Sequence, residues 1–170
     1  MIRITSGFYK GQNIKSPNSE KTHPMGSREK LALFNMLSEY LKEAVVLDAY
    51  AGSGALGIEA VSRGAKEATF VEKDPRVCQV IRENLKNLNL QANVICDSVV
   101  NFTTPEQFDI IIADPPYNKY SQNEIEHLLE FLKPDGVLVL SHPDNAKTPT
   151  KAKLLKTRKY ANANISIYTK

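Results

Sequence analysis

Apolar and polar positions alternate with two different periods along the middle of this chain. Short runs rich in valine and isoleucine, at residues 45–49, 68–72, 93–96, 108–113 and 136–141, predict five buried strands. Between them the apolar spacing lengthens to that of a helix. One helix is predicted over 55–63, ending before Gly64. Another begins at Asp74-Pro75, an N-cap followed by proline in the first helical position, and its Val77, Ile81, Leu85 and Leu88 make one apolar stripe. Ile125, Leu128, Leu129 and Leu132 make a further stripe, closed by Pro134 and Gly136. Such strand–helix alternation predicts a parallel sheet covered on both faces. Upstream, Ser27 is placed to cap a helix over 28–41 whose Phe34, Leu37 and Leu41 face the sheet. Residues 2–5 and 12–15 suggest a small hairpin around Gly7 and Gly11, and 153–160 and 164–168 two antiparallel strands that finish the sheet.

Composition narrows the class without changing this picture. With 170 residues, 42% hydrophobic and 24% charged, the chain is expected to form one domain over 1–170, with 1–26 as an N-terminal hairpin or extension. No apolar run suggests a membrane span, and the opening Met1-Ile2-Arg3-Ile4-Thr5 lacks the apolar core of a secretory signal. Cys78 and Cys96 lack metal-ligand spacing; they are expected to be reduced, small buried hydrophobes in a cytoplasmic protein, and no metal is expected. His127 and His142 show no partner pattern. The net charge of +3 hides an asymmetry: residues 1–30 carry a net +4, residues 31–146 a net −8 and residues 147–170 a net +7. Basic flanks around an acidic centre suit a phosphate backbone, although lysines on solvated terminal strands account for them equally well.

Candidate chemistry concentrates at two strand ends. The run 45–48 enters Ala49-Tyr50-Ala51-Gly52-Ser53-Gly54-Ala55-Leu56-Gly57, and Gly52, Gly54 and Gly57 satisfy G-x-G-x-x-G. Glycine lets backbone approach a ligand, and a helix N-terminus favours negative ligand groups, so a dinucleotide cofactor is one reading. Asp48, however, stands just before the turn. A carboxylate there is awkward beside pyrophosphate and favourable beside a cation, which favours S-adenosylmethionine, with its ammonium and sulfonium. Glu72, followed by Lys73, ends the second strand eighteen residues past Gly54 and suits two ribose hydroxyls. Asp97-Ser98, after the third strand, suits the adenine amine, although Ser98 also fits a cap for the segment that follows.

The fourth strand delivers Asp114-Pro115-Pro116-Tyr117. An exocyclic amine is a poor nucleophile because its lone pair is delocalised into the ring. The Asp114 carboxylate and the Pro115 carbonyl can accept its two N–H bonds, and proline adds no competing donor. Tyr117 can stack on the base, a contact worth about 1–3 kcal/mol. Positioning is then the main catalytic term. Taken with the glycine turn, this segment predicts methyl transfer to an exocyclic nitrogen.

Along nearly its whole length the chain resembles the RsmD-type bacterial methyltransferases. Arg3-Ile4-Thr5-Ser6-Gly7 with Lys10-Gly11-Gln12 is similar to the family's opening segment; His23-Pro24 through Arg28 and Leu33-Phe34-Asn35 resemble its first helix; Asp48 through Gly57, with Glu59-Ala60 and Ser62-Arg63-Gly64-Ala65, resembles its cofactor segment; and Asp114-Pro115-Pro116-Tyr117 matches its catalytic segment. His23, Met25-Gly26 and Gln12 depart from the family pattern. The resemblance implies an α/β, Rossmann-like seven-stranded class I S-adenosylmethionine-dependent methyltransferase fold, a mostly parallel sheet with an antiparallel last strand. It implies methylation of guanine N2 in 16S ribosomal RNA, as free RNA or as a small-subunit precursor. It assigns cofactor binding to Asp48, Gly52, Gly54, Glu72 and Asp97, with Ala49, Lys73, Ser98 and Asp114 beside them, and catalysis to Asp114 with Pro115, Pro116 and Tyr117. Arg3, Lys10, Arg28 and Tyr117 are expected to meet RNA. Alternatives are an amino-methyltransferase of DNA adenine or cytosine, a glutamine side-chain methyltransferase, an NAD-dependent oxidoreductase and a noncatalytic RNA-binding module.

Overall fold

Seven strands hydrogen-bond into one sheet, and a two-stranded hairpin lies apart from it. The computed structural model describes residues 1–17, 25–160 and 163–170. The hairpin pairs β1 (Ile2–Arg3) with β2 (Asn13–Ile14). The large sheet contains β3 (Val45–Asp48), β4 (Glu67–Val71), β5 (Asn93–Ile95), β6 (Phe108–Ala113), β7 (Leu132–His142), β8 (Lys153–Tyr160) and β9 (Ala163–Thr169), in the order β5-β4-β3-β6-β7-β9-β8. The first five of these neighbours run parallel, and β9 is antiparallel to both β7 and β8. The last strand in the chain is thus the antiparallel one, inserted just inside the edge.

Side chains alternate across each strand and feed two cores. Val46, Phe70, Ile110, Ile112, Val139 and Ile167 face one core, shared with α1 (Ser27–Leu37), α2 (Ala55–Ser62) and α3 (Pro75–Asn87). Leu47, Val71, Ile111, Leu138 and Tyr168 face the other, shared with α4 (Gln122–Leu128) and the turns around Phe102 and Phe131. In α3, Asp74 accepts the Arg76 N–H and Pro75 takes the first position, as the sequence predicts. Gly57 lets α2 sit directly on the sheet: a Cβ there would meet the Phe70 ring at 2.4 Å.

Three expectations are corrected. α1 starts at Ser27 with Gly26 at the N-cap position and no side-chain cap, and it ends at Leu37. There the chain tightens into turns, Tyr40 N–H to Leu37 O and Ala44 N–H to Leu41 O, which keep Leu41 in the core. Leu132 belongs to β7 rather than to the preceding helix. It pairs with Phe108 before the register slips and Ile110 pairs with Val137; spacing alone does not separate the two, because Leu132 is buried either way. Cys78 and Cys96 are not two independent buried hydrophobes. α3 and the end of β5 bring their Cα atoms to 6.0 Å, the pair forms a disulfide, and Cys96 reaches the surface.

A buried ion cluster fastens the hairpin to this frame. Glu59 of α2 is fully buried and accepts the Thr5 and Ser6 N–H groups at 3.0 Å, the Thr5 hydroxyl at 2.6 Å and Arg63 Nε at 2.9 Å. Lys30 Nζ stands 3.3 Å from it and donates to Arg3 O. Burial opposes the charge on Glu59, but the Thr5 bonds, Lys30 and Arg63 together hold its carboxyl below the ordinary value. Glu59→Ala should therefore destabilise the protein by about 3–5 kcal/mol, the cost of stranding a buried partner charge. Urea unfolding measures it, and a change under about 1 kcal/mol, the worth of an exposed pair, would reject the cluster as an anchor.

Candidate active site

The chain reverses its direction across the sheet between β3 and β6. After β3 it builds β4 and β5 on one side, then returns to place β6 on the other, and ligands of open α/β sheets bind outside the strand ends at such a switch point. Asp48 pairs with Ile112 in parallel register, and Ala49 N–H donates to Ile112 O at 2.9 Å. Gly52 and Asp114 therefore open at the same end of the sheet. Alternation directs Asp48 and Asp114 to the α1–α3 face together.

Asp48 is buried and accepts the Gly57 N–H, in the first turn of α2, at 2.8 Å. Burial pushes its pKa up to about 7; the Gly57 bond pulls the other way, and the charges of Asp114 and Glu72 add to the rise. Asp114 is pushed up to about 6 by burial, against a hydrogen bond from Ser141. Among the described residues no cation pairs with either acid. The glycine turn leaves room beside them. Gly52 has φ +52° and a Cβ there would meet nothing within 4 Å, while Gly54 caps α2 at φ +80°.

Glu72 ties two loops together, accepting Gly52 N–H and Asp74 N–H at 3.0 Å each. A carboxylate has about four acceptor sites, so both oxygens keep capacity for a ligand. Lys73 is exposed beside it. Asp97 is exposed and caps its own turn, accepting Ser98 N–H at 2.7 Å and Asn101 Nδ2 at 3.0 Å. The capping side chain is thus Asp97 rather than Ser98.

Past Asp114, Pro115 is buried, Pro116 is exposed and Tyr117 starts a single 3-10 turn (Tyr117–Lys119) with 39% of its surface free. Its hydroxyl lies 2.7 Å from Ser141 Oγ, which is buried at the end of β7. One hydroxyl with one proton and two lone pairs can donate to Asp114 and accept from Tyr117. Ser141 therefore couples the acid to the ring, and sequence reasoning misses it because a serine inside an apolar strand carries no motif. Tyr50, in the glycine turn, is missed likewise: its hydroxyl donates to Glu124 of α4 at 2.7 Å, closing that turn against the element after Tyr117.

The predicted RNA contacts separate in space. Arg28 lies exposed in the first turn of α1, and its neighbour Glu29 is near enough to raise the Tyr117 phenol, after burial and with Asp114. Arg3 is exposed on β1. Lys10 sits in the hairpin turn that Ser62 holds through Phe8 and Tyr9, at the far end of α2 from Gly54, roughly 12 Å along the helix axis. It is not brought to the cleft. His23 and Pro24 lie outside the described residues. His127 bonds Phe102 O and His142 bonds Ser166 Oγ, so both serve the frame. No helix among the described residues is long and apolar enough to cross a membrane, and no group of side chains there could hold a metal ion.

The family described as Conserved hypothetical protein 95 matches this chain over residues 2–169. Ribosomal RNA small subunit methyltransferase D from Haemophilus influenzae is 35% identical over 179 residues, covering 98% of this chain and 93% of the relative. The putative rRNA methyltransferase YlbH of Bacillus subtilis is 33% identical over 182 residues, covering 99% of both. Among solved structures, the putative methyltransferase yhhF from Escherichia coli superposes with a TM-score of 0.88 at 28% identity, covering 99% of this chain and 97% of that one. A hypothetical protein of Thermus thermophilus gives 0.86 at 31% identity over 100% of both chains. Matching residues, strand order and full-length relatives agree, and the chain belongs to the RsmD-type methyltransferase family.

Proposed function

We propose that the protein transfers a methyl group from S-adenosylmethionine to the exocyclic N2 of a guanine in 16S ribosomal RNA. The observation that carries this reading is the placement of Asp48, at the end of β3, and Asp114, just past the end of the adjacent parallel strand β6, both raised in pKa and without a cation among the described residues. Ribosomal RNA comes from the names of the relatives, and guanine N2 from the resemblance of the Asp114–Tyr117 segment.

The residues present fit this cofactor. Buried Asp48, with half-buried Asp114 and Glu72, repels pyrophosphate and attracts an ammonium and a sulfonium, which disfavours a dinucleotide. Asp48, Ala49, Gly52 and Gly54 would hold its amino-acid end, Glu72 and Lys73 its ribose, and Asp97 and Ser98 its adenine. S-adenosylmethionine, when bound, supplies an electrophilic methyl group on a positively charged sulfur. The remaining work falls to the chain itself. Asp114 and the Pro115 carbonyl accept the two N–H bonds of the guanine amine and turn its lone pair outward. Tyr117 stacks on the base, and Ser141 keeps ring and carboxylate in register. An unpaired or flipped guanine is required, because a duplex hides the amine from this shelf.

A decisive experiment incubates the protein with labelled methyl donor and undermethylated small ribosomal subunits, followed by digestion to nucleosides. Label should appear in N2-methylguanosine. Asp114→Ala should lower kcat by roughly 10²–10³-fold, the range for losing one preorganised polar contact, while still binding the cofactor. Label in another nucleoside would overturn the guanine assignment, and a near wild-type rate for Asp114→Ala would overturn the chemistry. RNA binding without any label would favour a noncatalytic module.

The acids also predict a pH dependence. Because Asp48 is raised from 3.8 to about 7, the empty protein loses stability as pH rises through that window, and a bound cation restores it. Binding must expel protons at low pH. Cofactor affinity should accordingly rise from about pH 5 to about pH 7 by roughly tenfold for each proton released per pH unit, then level off. Calorimetry in buffers of different ionisation enthalpy counts those protons; a dissociation constant flat across this range would remove the acids from cation binding.

A further inference from the structure

We propose that Lys156 and Arg158, on the outermost strand of the sheet, bind the phosphodiester backbone of the RNA whose base enters the Asp114 cleft. The proposal rests on the RNA reading above and deepens it by locating the contact.

β8 is an edge strand, paired only with β9, and each residue from Lys153 to Lys159 is exposed. It carries Lys153, Lys156, Arg158 and Lys159 and no acid. Lys159 is engaged by Asp144 at 2.8 Å, whereas Lys156 and Arg158 make no ion pair among the described residues. Lysine on an edge also discourages strand addition by other chains, so charge alone does not select a partner. Level and face do.

The level follows from the register. Ala113 pairs with Leu140; the next residue of β7, Ser141, pairs with Ile165, and Ile165 pairs with Arg158. Arg158 therefore stands level with Asp114 along the strands, three strand spacings or roughly 14 Å across the sheet. The face follows from the same pairs, since residues directly opposite share one face. Val139, Ile167 and Lys156 lie on the α1–α3 face, as do Ser141, Ile165 and Arg158. α1 packs against β9 on that face. Lys156 and Arg158 thus lie on the α1–α3 face, with Arg158 at the level of Asp114. Their separation from Asp114 exceeds the roughly 8 Å Debye length at physiological salt, so they reach phosphates without acting on the acidic pocket. An acidic interior that repels phosphate and a basic shoulder that holds it would seat a base inward and its backbone outward.

The test is binding of unmodified 16S ribosomal RNA transcript across a salt series, read by fluorescence anisotropy, together with steady-state methyl transfer. The Lys156→Ala/Arg158→Ala double variant should lower the slope of log affinity against log salt by about 1.4, at roughly 0.7 for each lost phosphate contact on single strands. Its KM for RNA should rise while its KM for S-adenosylmethionine holds. Lys156→Arg and Arg158→Lys, which keep the charges, should restore the slope. Lys153→Ala, on the same edge but roughly 17 Å along the strand from Arg158, should leave it unchanged. A double variant with wild-type slope and RNA KM overturns the proposal, and so does an equal effect from Lys153→Ala. Binding is read without turnover, so the two readings fail separately. Absence of methyl transfer by the wild type with a flattened slope in the double variant sinks the catalytic reading alone; intact transfer with an unchanged slope sinks this contact alone.

Discussion

Parallel pairing of β3 with β6 is the constraint on which the rest of the site depends. The two strands lie more than fifty residues apart in the chain, yet Asp48 and Ile112 sit side by side. That single register brings an acid from the glycine turn and an acid from the proline shelf to one end of the sheet and one face. Neither carboxyl ionises freely: each is raised chiefly by desolvation, and at Asp48 the charges of Asp114 and Glu72 add to the rise. The fold thus holds two acids in an arrangement that disfavours their charged forms. Hydrophobic burial on both sheet faces, from Val46 and Ile112 on one side to Leu47 and Ile111 on the other, supplies the stability that tolerates it.

Polar groups around the acids hold geometry more than they add charge. Gly57 N–H fixes Asp48, Glu72 bridges the glycine turn to the cap of α3, and Ser141 joins Asp114 to Tyr117. Tyr50 and Glu124 close the ring by tying the turn to α4. Each bond is modest alone, about 0.5–1.5 kcal/mol in net stability, but together they remove freedom from the side chains at this end of the sheet. Glu59 plays a comparable part at the back of α2, where a buried carboxylate with four donors and a buried lysine fastens the hairpin. Charge is therefore layered: acids in the cleft, a paired cluster behind it, and exposed bases on the outer strand.

Much of this was legible from residue order. Strand periods located the five parallel strands to within a few residues, and Asp74-Pro75 announced the start of α3 because both cap chemistry and proline's fixed φ are local properties. The glycine turn and Asp114-Pro115-Pro116-Tyr117 were equally visible, since their chemistry resides in contiguous residues. Errors fell where local patterns are degenerate. Leu132 is buried whether it closes a helix or opens a strand, and Leu41 is buried whether its segment is helical or turned. The disulfide is not legible in the sequence, because eighteen residues of separation say nothing about distance.

The list of elements, their alternation and the identity of the two chemical segments all follow from interactions among near neighbours and can be read from residue order. Tertiary structure alone decided which residues share the cleft. It recruited Ser141 from the interior of an apolar strand, carried Lys10 to the far end of α2, and set Arg158 level with Asp114 across three strand pairings. The physical reason is register. Propensity and periodicity act over a few residues, whereas the alignment of one strand against another is set by both cores at once.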